Sequence, residues 1–317
     1  MVPLLRPGLL LLILGGCAKT GDDPVHAISV STFAGSGAGT CKDGPAGQAA
    51  FATPWGLAAD ALGNVYVADG EDGGSSCIRK ITPSGVVTTL PGVFYLPEGV
   101  AVDEQNNVFI GDAGNDRIRR ISAAGLVTTL AGYPGGPSFD GPQGVAIDAK
   151  GNLYVGDGGH RSIRKVSATG DVSTFAVGSF GYPVGVAVDA AGNVYVADLL
   201  LQAIRKINPD GVVTTLAGST AGFADGMGTE AKFSSPTGVA VDKNGNVYVA
   251  DQGNHCIRII TPSGNVSTLA GNGSAGYTDG TGRMARFRLP YAVALDRQGN
   301  VYVSDQGNHR IRKITIQ

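Results

Sequence analysis

The residues able to do chemistry are few, and they stand where an otherwise repetitive chain changes character. Trp55, Glu98, Gln143, Val184, Thr237 and Tyr291 each directly follow a proline, and no two of them are alike. Two aromatic surfaces beside a carboxylate and an amide suit stacking on a sugar or a peptide with polar readout. Trp55, Glu98, Gln143, Thr237 and Tyr291 are therefore the candidate ligand-binding set. Glu98 is the one acid among these positions, which is too few for an acid–base pair or a calcium-holding cluster. Metal-dependent hydrolysis or elimination would need several His, Asp or Glu side chains converging on one point. The chain has 4 His, and they are scattered: His26, His160, His255 and His309. His255 and His309 share a Gly-Asn-His setting, which fits a structural role. The aspartates Asp69, Asp112, Asp157, Asp198, Asp251 and Asp305 recur with the arginines Arg79, Arg119, Arg164, Arg205, Arg258 and Arg312. Such regular recurrence fits turn capping and local ion pairs better than catalysis. No catalytic residue, metal or cofactor is expected.

A second departure from regularity lies in three longer connections that share an Asp-Gly end. They are Ala221-Gly222-Phe223-Ala224-Asp225-Gly226, Ala275-Gly276-Tyr277-Thr278-Asp279-Gly280 and Gly39-Thr40-Cys41-Lys42-Asp43-Gly44. Loops raised on a rigid scaffold are common binding elements, so Asp43, Asp225, Asp279, Phe223 and Tyr277 form a candidate rim. Cys41 lies in one of these loops and Cys77 in the same repeat unit, which makes them a candidate disulfide and leaves Cys256 over. Their spacing forms no zinc motif.

The elements that must position these residues come from one pattern repeated around Pro54, Pro97, Pro142, Pro183, Pro236 and Pro290. The fifth copy shows the whole unit. It runs Pro236-Thr237-Gly238-Val239-Ala240-Val241-Asp242, Gly245-Asn246-Val247-Tyr248-Val249-Ala250-Asp251, Ile257-Arg258-Ile259-Ile260 and Val266-Ser267-Thr268-Leu269-Ala270-Gly271. These are four strands, a to d, with an Asp-x-x-Gly-Asn hairpin from a to b. Such a meander cannot bury both faces alone, so copies must stack around an axis. Ala58, Ala101, Ala146, Ala187, Ala240 and Ala294 keep one face of strand a shallow. Phe51, Phe94, Phe139, Phe180, Phe233 and Phe287, three residues before each proline, are expected to plug the seams between sheets. The last copy lacks strand d, and residues 29–35 have its form at the other end of the chain. That segment is expected to complete the sixth sheet, with Val30 alongside Ile311.

The Pro-x-Gly-Val-Ala-Val-Asp, Gly-Asn-Val-Tyr-Val-Ala-Asp and Gly-Asn-His-x-Ile-Arg strings resemble NHL repeats over residues 28–317. The resemblance implies an all-β, six-bladed β-propeller of four-stranded antiparallel blades, closed by the N-terminal strand. It implies little about activity, because that family spans lyases, sensor ectodomains and protein- or RNA-binding modules.

Composition agrees: 50 Gly and 16 % charged residues in a 317-residue chain speak for short strands and tight turns. A net charge of −2 supplies no general attraction to nucleic acid, which is not expected as a partner. Residues 1–16 read as a lipoprotein signal peptide, with Arg6 ahead of the Leu9 to Leu14 apolar run and Gly15-Gly16 before Cys17. Lipidation of Cys17, a tether over residues 17–27 and an exported, membrane-anchored propeller on the periplasmic or cell-surface side follow as expectations. The sequence thus favours a binding scaffold that engages a protein, peptide or glycan on the loop face of the propeller, over the rim of blades 5, 6, 1 and 2. The alternative is a lactonase- or lyase-like enzyme acting on a small sugar-type or lactone substrate at the axial mouth.

Overall fold

The computed structural model describes residues 28–70, 76–136 and 138–316. The leader, Cys17 and the tether lie outside the described residues. Six antiparallel sheets form the blades of a propeller, one for each copy of the repeat. In blade 1, strand a is Pro54–Ala59, b is Val65–Asp69, c is Cys77–Ile81 and d is Val87–Thr89. Each marker proline is the first residue of its strand a, where its missing N–H costs no ladder bond. The b strands are buried along all five residues, because a neighbouring sheet covers each of their faces.

The core lies in the seams between blades. One such seam joins Tyr248, Ala250 and Ile257 of blade 5 to Phe287, Val301 and Ile314 of blade 6. The plug phenylalanines are all buried. Five of them also sit under the arginine of strand c, as Phe51 does under Arg79 at 5.3 Å and Phe287 under Arg312 at 5.1 Å.

The a-to-b hairpin is held by its aspartate. In blade 5, Asp242 Oδ1 accepts the backbone N–H of Asn244 and Asn246 at 2.8 and 2.9 Å. Its Oδ2 accepts Asn246 Nδ2 at 2.8 Å and the Tyr248 hydroxyl at 3.4 Å. Burial, and then the charge of Asp242, push the Tyr248 phenol up to about 12, so it stays a donor.

The ring closes as expected, through residues Ile28–Ala34 paired with the last strand, Arg310–Ile316. The register differs: Val30 faces Ile314, and Ile311 faces Ala34. Strand d of every blade starts opposite the end of strand c, as Val266 does opposite Ile260, and Val30 takes the same place. A second difference is an extra strand. In blades 5 and 6 the long loop adds a two-residue fifth strand, Gly226–Met227 or Gly280–Thr281, to the outer edge. These short pieces cover edges that would otherwise expose unpaired backbone groups.

In blades 1 to 5 the glycine two residues after the marker proline lets neighbouring a strands nearly touch at the loop end. A β-carbon at Gly99 would stand 2.2 Å from the Gln143 carbonyl oxygen, and one at Gly144 2.4 Å from that of Val184. Blade 6 has Ala292 at this position. Beyond the glycines the strands carry valine and alanine side chains, as at Val100 and Ala101 or Val239 and Ala240, and lead to the hairpin face.

Candidate functional site

At the narrow loop end, the five predicted ligand-binding residues converge, and they interlock. Trp55 meets Tyr291 edge-on, with ring centroids 4.6 Å apart, and its Nε1 donates to the Gly70 carbonyl at 2.9 Å. The Tyr291 hydroxyl donates to Glu98 Oε2 at 2.8 Å, and Gln143 Nε2 donates to the Gly141 carbonyl at 3.4 Å. Thr237 Oγ1 donates to the Tyr291 carbonyl at 2.6 Å. Gln143, Thr237 and Tyr291 are buried, Trp55 and Glu98 are partly exposed, and a void of about 50 Å³ remains beneath them. Among the described residues, these side chains fill the loop end of the axis.

Burial raises the Glu98 carboxyl above its ordinary value, against the opposing hydrogen bond from Tyr291. A raised carboxyl means that the folded state holds the proton more tightly. Stability from this group is therefore greatest at low pH and falls as pH rises from the ordinary glutamate range through the raised value. Glu98→Gln keeps an acceptor for Tyr291 and removes the charge. It should raise the melting temperature at pH 7 by roughly 2 °C. That gain should vanish below about pH 4.3, which calorimetry across pH will show.

The rim residues are also committed. Asp43 accepts Arg79 NH2 at 2.8 Å and the Thr89 N–H at 3.0 Å. Asp225 accepts Arg258 at 2.7 Å and Arg283 at 3.0 Å, while Asp279 accepts Arg312 at 2.5 Å. The Asp43 and Asp225 carboxyls lie below their usual value. Partial burial, which acts the other way, is outweighed by hydrogen bonds from Thr89 and Arg79 in one case and from Arg258 in the other. Phe223 lies over Arg258 at 5.2 Å, and Tyr277 lies over Arg310 and Arg312 at 4.0 and 5.0 Å. These loops are clamps on strand c.

His160 Nδ1 stands 2.9 Å from the Asp157 carboxylate, while the other two described histidines serve the backbone. His255 Nδ1 accepts the Leu289 N–H at 3.1 Å, and His309 Nδ1 stands 2.6 Å from the Ala52 carbonyl oxygen. Both close a tight turn with left-handed φ of 53° and 54°. Among the described residues, the one group of His, Cys, Asp or Glu spaced to hold a metal is Cys41, Asp69 and Cys77. Asp69 Oδ2 there already accepts Arg79 at 3.0 Å.

The open concavity is on the opposite, hairpin face: a bowl of about 760 Å³ drawn from blades 5, 6, 1 and 2. Val102, Val241 and Leu295 form its apolar wall, and Glu104, Lys243 and Arg297 stand on its rim. Asp60, Asp103, Asp242 and Asp296 also line it, but their oxygens are spent on their own hairpins. The sequence carried a signal for this site. The residue after each hairpin aspartate is Glu104, Lys243 or Arg297 in blades 2, 5 and 6, against alanine at Ala61, Ala149 and Ala190.

The fold and its site define a closed six-bladed propeller with one plugged end and one open end. The NHL repeat family matches residues 51–81, 233–260 and 287–314, and the chain is an NHL-repeat β-propeller. NHL repeat-containing protein 2 of Gallus gallus is 36 % identical over 94 residues, 28 % of this chain and 13 % of that protein. The chain spans less than a quarter of the length of the curated relatives it matches. A Bacteroides thetaiotaomicron protein of unknown function superposes with a TM-score of 0.79 at 26 % identity, over 92 % of this chain and 76 % of that one. An auxiliary nutrient binding protein from Bacteroides ovatus gives 0.76 at 21 % identity over 92 % and 77 %, a likeness of fold alone.

Proposed function

We propose that this propeller is a binding scaffold, and that a peptide or glycan segment seats in the hairpin-face bowl. The observation that carries this reading is a cavity of about 760 Å³ with an apolar wall, a mixed-charge rim and lining aspartates committed to their own turns. Its size and character are those of a ligand pocket. Each bowl aspartate accepts two backbone N–H groups of its own hairpin, which leaves the charged rim side chains Glu104, Lys243 and Arg297 to meet a ligand. Glu98, the isolated acid of the axis, lies in the plug at the other end.

Calorimetric titration with peptide and glycan panels tests the seat. Val241→Phe places a ring in the bowl wall and should weaken any ligand found by at least about tenfold, since it removes the space the ligand fills. Tyr95→Ala, an exposed change on the loop face, should leave binding within about twofold. The opposite pattern would move the seat to the loop face, and turnover of a lactone or sugar substrate would replace the reading altogether.

We further propose that the protein is exported and held at a membrane by a lipid on Cys17, as the Leu14-Gly15-Gly16-Cys17 string supports. No helix among the described residues is long and apolar enough to cross a bilayer. Metabolic labelling with an alkyne fatty acid should mark the wild-type chain and not Cys17→Ser. Equal labelling of both would refute the anchor.

A further inference from the structure

We infer that Cys41 and Cys77 form a disulfide that replaces, in blade 1, the aromatic clamp used by blades 5 and 6. The three long loops align on their Asp-Gly ends, so Cys41 occupies the place of Phe223 and Tyr277. In all three blades the loop aspartate reaches the strand-c arginine: Asp43 to Arg79, Asp225 to Arg258 and Asp279 to Arg312. In blades 5 and 6 the aromatic ring two residues earlier then covers that arginine. Blade 1 has no ring there, and a different fastening takes its place.

Cys41 Sγ stands 3.5 Å from Cys77 Sγ and 3.3 Å from Asp69 Oδ2. Cys77 is the first residue of strand c and faces Asp69 across the ladder. The two sulfurs are already in van der Waals contact, and small side-chain rotations bring them to bonding distance. Cys256 opens strand c of blade 5, as Cys77 does in blade 1, but its clamp residue is Phe223, so this buried thiol is an internal control.

The two thiols differ in the way exchange chemistry requires. Cys41 is exposed, and its thiol is lowered by the hydrogen bond with Cys77 and, least of all, by Arg79, against burial and the Asp69 carboxylate, which raise it. Cys77 is buried and its thiol is pushed up, chiefly by the same hydrogen bond and by burial. Cys41 as thiolate attacks the sulfur of a donor disulfide, such as oxidised glutathione, and expels one donor thiolate. Cys77 then loses its proton and attacks Cys41 Sγ in the mixed disulfide, expelling the second donor thiolate. Two protein thiols are oxidised, one donor disulfide is reduced to two thiols, and two protons pass to them.

The test is to equilibrate the full chain with oxidised glutathione, denature it, alkylate it and map tryptic peptides. A bridge appears as residues 20–42 linked to residues 43–79, with Cys256 alkylated. Alkylation of both Cys41 and Cys77, or a bridge that includes Cys256, overturns the inference. So does stoichiometric zinc that protects both thiols from alkylation. Melting supplies a second readout. Reduction of the wild type should lower the midpoint by about 5 °C, because the link closes a long loop. Cys41→Ser should match the reduced protein, whereas Cys41→Phe, which installs the blade 5 arrangement, should recover most of the loss under reducing conditions. If the Phe and Ser variants melt together, the clamp equivalence is wrong.

Discussion

A chain lacking residues 28–34 should fail to form a stable ring. Those residues supply strand d of blade 6, pairing with Arg310–Ile316 and offering Ser29 and Val30 to the short strand Gly280–Thr281. About six backbone hydrogen bonds at roughly 1 kcal/mol each are lost, together with roughly 2 kcal/mol for burial of Val30. The total is on the order of 8 kcal/mol, against a typical whole-domain stability of about 5–15 kcal/mol. Circular dichroism melts should show either no cooperative transition or one lowered by more than about 15 °C. An unchanged melt would mean that blade 6 holds without its fourth strand.

Arg312→Met should be severely damaging, as should the same change at Arg258, whose guanidinium is equally buried and bonded in the same pattern. The Arg312 guanidinium is fully buried, bonds Asp305 at 2.7 Å and Asp279 at 2.5 Å, and donates to the carbonyls of Arg286 and Thr278. Removing it leaves Asp305 buried without its cation, a loss of about 3–5 kcal/mol. Arg205 holds the same repeat position in blade 4, but no ion pair to Asp198 forms among the described residues. Asp198 instead accepts the N–H groups of Gly181, Tyr182 and Leu201. Arg205→Met should therefore cost less than about 1 kcal/mol. The pH dependence distinguishes the cause. Burial already raises the Asp305 carboxyl, and losing Arg312, which lowers it, raises it further. The deficit of Arg312→Met should thus shrink as the pH falls through that raised value and Asp305 takes up a proton. Urea denaturation of both variants at neutral and acidic pH provides the comparison, and equal losses for the two would sink the argument.

The architecture was legible because its signals are redundant: prolines, alanines and phenylalanines recur at fixed offsets, and the missing strand has an obvious counterpart. What escaped had no periodic signature. Gly226–Met227 and Gly280–Thr281 are too short to carry alternation, so the fifth strands read as loop. The position of Val30 needed the rule that d starts opposite the end of c, which Val266 and Ile260 obey. The candidate site was legible as a cluster and not as a shape. Tyr291, Glu98 and Gln143 do meet, but the nearby glycines draw the strands so close that they fill the end of the axis. The same rule of divergence between copies, applied to Glu104, Lys243 and Arg297, marks the bowl on the other face.

Ile28 pairs with Ile316, and Ile316 lines the bowl, so the chain emerges on the concave side of the disc. Ten residues separate Ile28 from Cys17 and extend at most about 35 Å. A fatty-acyl group on Cys17, as proposed, would join the disc from its concave side and bring the cavity, more readily than the clamped loops, within reach of the bilayer. Its guests would then be those that can reach the concave face beside a tether attached at the edge of blade 6.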